Sequence, residues 1–104
     1  MIPLSVRTLN LASVLFEEPE LTRIKNRLVD EASDSLPFCK DATPEGMERI
    51  RYSIMKLIFQ NKGNEDIAFH HAKMDWRDLF MAAGFGYSAA EHENWYRQTV
   101  EKSQ

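Results

Sequence analysis

At 104 residues, with 43% apolar and 28% charged side chains and only four glycines and four prolines, the chain falls among small globular domains and outside collagen-like or low-complexity classes. The single cysteine, Cys39, excludes an internal disulfide framework. Thirteen basic residues against sixteen acidic ones give a net charge of −3, which excludes the uniformly positive field of a dedicated nucleic-acid binder.

The longest apolar-looking stretch, Leu9 to Phe16, is interrupted by Asn10 and Ser13 and is far shorter than the ~20 residues of a membrane span. Glu17-Glu18-Pro19-Glu20 follows it where a secretory cleavage site would need small residues. The expectation is a cytoplasmic protein, with no membrane partner and a reduced Cys39.

Periodicity is helical nearly throughout. Between Pro3 and Phe16, the residues Leu4, Leu11, Ala12 and Leu15 share one stripe, and Pro3 suits a helix start, where its missing N–H costs nothing. Pro19 marks a break. Leu21, Ile24, Leu28 and Ala32 then form a second stripe; two helices and one kinked helix are both compatible with it. Residues 3–33 are therefore helical, and 34–43 read as a loop broken by Pro37 and Asp41, with Phe38 and Cys39 tucked toward the core.

A helical core is expected over residues 44–101. Thr43 as N-cap, Pro44 at the first helical position and Glu45 in the first turn open its first helix. That helix carries Met47, Ile50, Ile54, Leu57 and Ile58 on one side and Tyr52, Met55 and Phe59 on its flanks, which marks it as the central one. Gly63 suits a C-terminal stop, and Asn64 caps a short helix burying Ile67, Ala68 and His71 or Ala72. Asp75 caps the next helix, Trp76 to Ala83, with Asp78 completing a reciprocal box, and Gly84 ends it. Ser88 and Glu91 have capping-box spacing before a last helix with His92, Trp95 and Thr99 along one face and Tyr96 beside them. The expected fold is all-α, a compact single-domain bundle of five to six short helices.

Residues with chemical potential do not form a complete set. His71 and Asp75 are four apart, but a zinc site needs three or four ligands, and His92-Glu93-Asn94-Trp95-Tyr96 has tyrosine where a zinc-protease helix needs its second histidine. No cofactor or metal is expected. Gly84-Phe85-Gly86 lacks the strand and third glycine of a dinucleotide loop. Aromatic residues concentrate in Trp76, Phe80, Phe85, Tyr87, Trp95 and Tyr96, and Trp beside Arg is the composition of a protein-binding hot spot.

The stretch Glu48-Arg49-Ile50-Arg51, Lys56-Leu57, Gly63-Asn64, Ala72-Lys73-Met74-Asp75-Trp76-Arg77-Asp78-Leu79 and Ala82-Ala83-Gly84-Phe85 resembles a segment of small uncharacterised bacterial proteins. In those proteins the last part commonly resembles A-K-x-D-W-R-D-L-L-x-A-A-G-F, with Phe80 here in place of the second leucine. The similarity spans a little over a third of the chain and excludes the N-terminal helices and everything after Gly86. It implies a bacterial, cytoplasmic, helical protein and carries no activity with it.

The leading functional expectation is a non-enzymatic protein–protein interaction module that contacts its partner through Trp76, Arg77, Phe80 and Phe85. One alternative is a small-ligand binder or enzyme in which His71, Asp75, Arg77 and His92 share a cleft. Another is weak nucleic-acid binding through Arg49, Arg51 and Lys56. Homo-oligomerisation through the apolar Met47–Phe59 segment is a further expectation.

Overall fold

The structure, a computed structural model, describes residues 2–33, 36, 43–61, 65–86 and 89–101. Six helices occupy them: α1 (Val6–Leu15), α2 (Glu20–Glu31), α3 (Pro44–Gln60), α4 (Glu65–Met74), α5 (Trp76–Ala82) and α6 (Ala89–Val100). No strand occurs among the described residues. The fold is the all-α bundle that the helical periodicity predicts, one globule with a radius of gyration of 12.4 Å. Phe38, Cys39, Gly63, Asn64, Tyr87 and Ser88 lie outside the described residues.

The bundle is built around α3. Thr43 caps it as expected, its hydroxyl accepting from the Gly46 N–H at 3.0 Å, with Pro44 in the first turn. Met47, Ile50, Tyr52, Ile54, Met55, Leu57 and Ile58 are all buried. A helix apolar around most of its circumference must be enclosed, and α1, α4, α5 and α6 enclose this one. The segment that suggested association between copies is therefore covered within one chain, leaving only Phe59 as an exposed large apolar side chain on it.

Elsewhere the structure corrects the reading in detail. The first helix starts at Val6 and not near Pro3, because Ser5 is the N-cap: its hydroxyl accepts from the Thr8 N–H at 3.1 Å. Pro19 separates two helices rather than kinking one, and the Glu18–Pro19 peptide is cis. The Glu18 carboxylate supplies the cap that Pro19 cannot, accepting from the Thr22 N–H at 2.7 Å. On α4, Phe69 is buried with Ala68 and Ala72, while Ile67 is exposed; the Arg27 guanidinium lies 4.1 Å over the Phe69 ring. The buried stripe of α6 is His92, Tyr96 and Val100, with Trp95 only partly buried.

The end of α5 is a Schellman motif. Phe85 N–H donates to the Phe80 carbonyl and Gly84 N–H to that of Met81, both at 3.0 Å, with Gly84 at φ +83°. The accompanying contact between the residues on either side of the turn is made through His92, whose ring centroid lies 4.6 Å from that of Phe80 and 4.1 Å from that of Phe85.

Candidate functional site

The four residues expected to face a partner divide between core and surface. Phe80 and Phe85 are buried, because the Schellman turn folds them together against His92. They belong to the core, and only Trp76 and Arg77 reach the surface. Trp76 is half-buried with its ring edge-on to Phe80, centroids 5.2 Å apart. Arg77 is exposed and folds back on Asp75 through Nε and Nη2 at 3.2 and 3.0 Å. The Asp75 carboxylate also accepts from the Arg77 N–H at 2.9 Å, and these bonds hold it below its ordinary value. Asp75's own N–H is taken by the His71 carbonyl, so Asp78 does not complete a reciprocal box.

His71, Asp75, Arg77 and His92 do not form the shared cleft. His92 is buried on the other side of Phe80, its Nε2 at 3.2 Å from the Ser53 hydroxyl, whereas the Asp75–Arg77 pair faces solvent. Among the described residues no group of three His, Cys, Asp or Glu side chains is placed to hold a metal ion.

Of the basic face expected on α3, Arg51 is turned inward and Arg49 and Lys56 are partly buried. Arg51 is 2% exposed. Its guanidinium donates to the carbonyls of Ala32 (3.0 Å), Pro3 (2.9 Å) and Ile2 (2.6 Å) and to the Ser33 hydroxyl (3.0 Å). Lys56 caps the C-terminal end of α5 through the Ala83 carbonyl, its ammonium 4.6 Å over the Phe85 ring, and burial lowers its pKa. Arg49 stacks 5.0 Å over Phe80. Cations engaged by carbonyls and rings offer phosphates less of a stripe than the sequence suggests.

A concavity lies elsewhere, a groove of about 780 Å³ where four helix ends meet. Val14, Leu15 and Phe16 from the end of α1 and Ile58 and Phe59 from the end of α3 line it. Phe16 and Ile58 are buried at its base, while Val14 and Phe59 stand at its lip, 39% and 47% exposed. Between and around them lie Glu17, Glu18, Glu20, Glu65 and Asp66, with Arg23 the one cation of the lining among the described residues.

Part of that acidity is structural. Arg23 engages Glu65 in a two-pronged pair at 3.1 and 2.9 Å. Arg27 joins Glu65 at 3.0 Å, Asp66 at 2.8 Å and Glu31 at 2.6 Å, and Lys73 reaches Glu31 at 2.7 Å. This network stitches α2 to α4. Hydrogen bonds from Arg23 hold Glu65 below the usual carboxylate range, and those from Thr22 do the same for Glu18. The arginines are thereby spent, and the lip keeps a surplus of negative charge: the Asp66 side chain is 92% exposed, and Glu17 has no ion pair among the described residues.

Sequence reasoning missed this site. In the sequence Phe59 reads only as a flanking apolar residue of its helix and Val14 carries no signal of its own, because the convergence of these residues with the acids depends on how α1 and α3 end beside the starts of α2 and α4. The arrangement offers an occupant apolar contact area at the base and negative charge at the lip. No helix among the described residues is long and apolar enough to cross a membrane. Compared with known proteins, the chain matches no family model, no curated protein and no solved structure.

Proposed function

We propose that this chain is a non-enzymatic interaction module, a bacterial cytoplasmic protein as its resemblance implies, which holds a segment of another protein in the groove between α1, α2, α3 and α4. The observation that carries this reading is the pair of exposed apolar side chains, Val14 and Phe59, standing at the lip of a groove with an apolar base. Side chains of this size left half in water at a concave surface gain most when a partner covers them.

A second reading keeps the interface at the α4–α5 corner. Arg77 is held in place there by Asp75 beside the half-buried Trp76, and Met74 and Met81 are exposed on the same two helices. Trp, Arg and Met are the side chains enriched at interface cores.

Site-specific photocrosslinking in the native host separates the two. A crosslinking residue at Val14 is expected to capture one stoichiometric partner, and Phe59→Gln is expected to abolish that capture while leaving the helical circular dichroism intact. Capture from Met81 alone moves the interface to the corner. No capture from either position refutes the module reading.

A further inference from the structure

We propose that the groove takes a basic amphipathic helix, its apolar stripe seated on Leu15, Phe16, Ile58 and Phe59 and its lysines or arginines meeting Glu17, Glu20 and Asp66. The inference rests on reading the groove as the docking face and adds the chemistry of what docks.

Charge complementarity selects the sign of the occupant. Among the described residues five carboxylates and one guanidinium line the groove, and that guanidinium is already engaged by Glu65 and lies 3.7 Å from Glu20. Nucleic acid and anionic lipid surfaces are repelled by such a lip, and a second copy of the chain brings a net charge of −3 against it. A cation reaching Glu17 or Asp66 has no resident arginine to displace at the first and an exposed carboxylate to share at the second.

The apolar part selects the shape. A polyamine satisfies the acids but leaves Phe59 and Val14 in water. A groove of about 780 Å³ with Val14 and Phe59 exposed at its lip receives one face of a rod rather than enclosing a small molecule. An amphipathic helix presents apolar side chains at i, i+3, i+4 and i+7 with cations on both flanks, so it meets the base and the lip of the groove together.

The test uses the intact chain and a fluorescein-labelled leucine/lysine peptide of about 14 residues, patterned as an amphipathic helix roughly 21 Å long, with anisotropy read at roughly 50 and 300 mM salt. Expected is saturable binding that weakens with salt. Neutralising the lip (Glu17→Gln, Glu20→Gln, Asp66→Asn) is expected to weaken it about tenfold, as is Phe59→Gln, while the remote triple Glu45→Gln, Asp78→Asn, Glu101→Gln changes it by less than about twofold. Equal losses in the two triples would reduce the effect to bulk attraction and overturn the proposal. Equal binding of a serine/lysine peptide, or competition by spermine at its own charge equivalence, would make the groove a counter-ion site and also overturn it. Equal or tighter binding of a leucine/glutamate peptide of the same pattern would reverse the inferred sign and overturn the proposal. If Phe59-dependent crosslinking at Val14 persists while the leucine/lysine peptide fails, the docking face stands and the basic helix falls.

Discussion

The Arg51 guanidinium and the Ala32 carbonyl meet at 3.0 Å across nineteen positions of sequence, and the same side chain also gathers the carbonyls of Ile2 and Pro3. One buried fork thus ties the extended N-terminal segment and the end of α2 to the middle of the central helix. Only a planar group with several fixed donors serves acceptors from separate segments at once. Arg51→Met keeps much of the volume but strips the donors, and it is expected to cost about 3–5 kcal/mol, because buried acceptors are left without partners. Arg51→Lys recovers only part of that. Urea denaturation checks both, and a loss below about 1 kcal/mol for Arg51→Met would show that the fork does not hold these segments.

Stability is expected to fall in acid through Glu31. Hydrogen bonds from Arg27, opposed by burial and assisted by Lys73, lower its pKa from 4.5 to about 2. A carboxyl lowered in the folded state adds stability that is fully present above its unfolded value and is lost as the pH falls through the folded one. The window is therefore between about pH 4.5 and pH 2. Glu31→Gln is expected to flatten the slope there and to remove about 1 kcal/mol at neutral pH. Chemical denaturation at a series of pH values reads it, and an unchanged slope in the variant would mean the ion pairs contribute nothing.

Two glycines with positive φ predict an ordered pair of losses. Gly84, at φ +83°, has the Lys56 ammonium 3.3 Å from where a Cβ would stand, while Gly86, at φ +62°, has open space. Gly86→Ala is expected to cost about 1 kcal/mol, for backbone conformation alone. Gly84→Ala is expected to cost more, about 2 kcal/mol, since the new methyl also presses on the cation that caps α5. Thermal melts of the two variants rank them, and the reverse order would contradict this account of the turn.

The tautomer of His92 is set by Ser53. The Ser53 hydroxyl has one proton, which it donates to the Arg49 carbonyl at 2.8 Å, so toward the imidazole it can only accept. Nε2 therefore carries a proton. Long-range nitrogen–proton correlation spectra are expected to show protonated Nε2, and Ser53→Ala is expected to cost about 1 kcal/mol. A ring protonated at Nδ1 alone would reverse the direction of the bond.

The residues of the N-cap at Thr43, the stop at Gly84 and the enclosed stripe from Met47 to Ile58 were readable as written, because capping, glycine backbone freedom and helical period are local properties of a few neighbouring positions. The same holds for the all-α class. What depended on distant segments was not readable. Arg49, Arg51 and Lys56 looked like a solvated basic face until α2, α5 and the N-terminal segment supplied the carbonyls and rings that engage them. Phe80 and Phe85 looked like candidates for a surface until the turn at Gly84 folded both onto His92.

Local rules thus determined from the sequence alone that the chain is helical, roughly where most of its helices begin and end, and which helix lies at the centre. The groove belongs to the tertiary structure alone. Its apolar base comes from the ends of α1 and α3 and its acids from the turn after α1 and the starts of α2 and α4, residues up to 52 positions apart between Val14 and Asp66. No periodicity within one helix encodes such a meeting; it is decided by the angles at which the buried stripes pack.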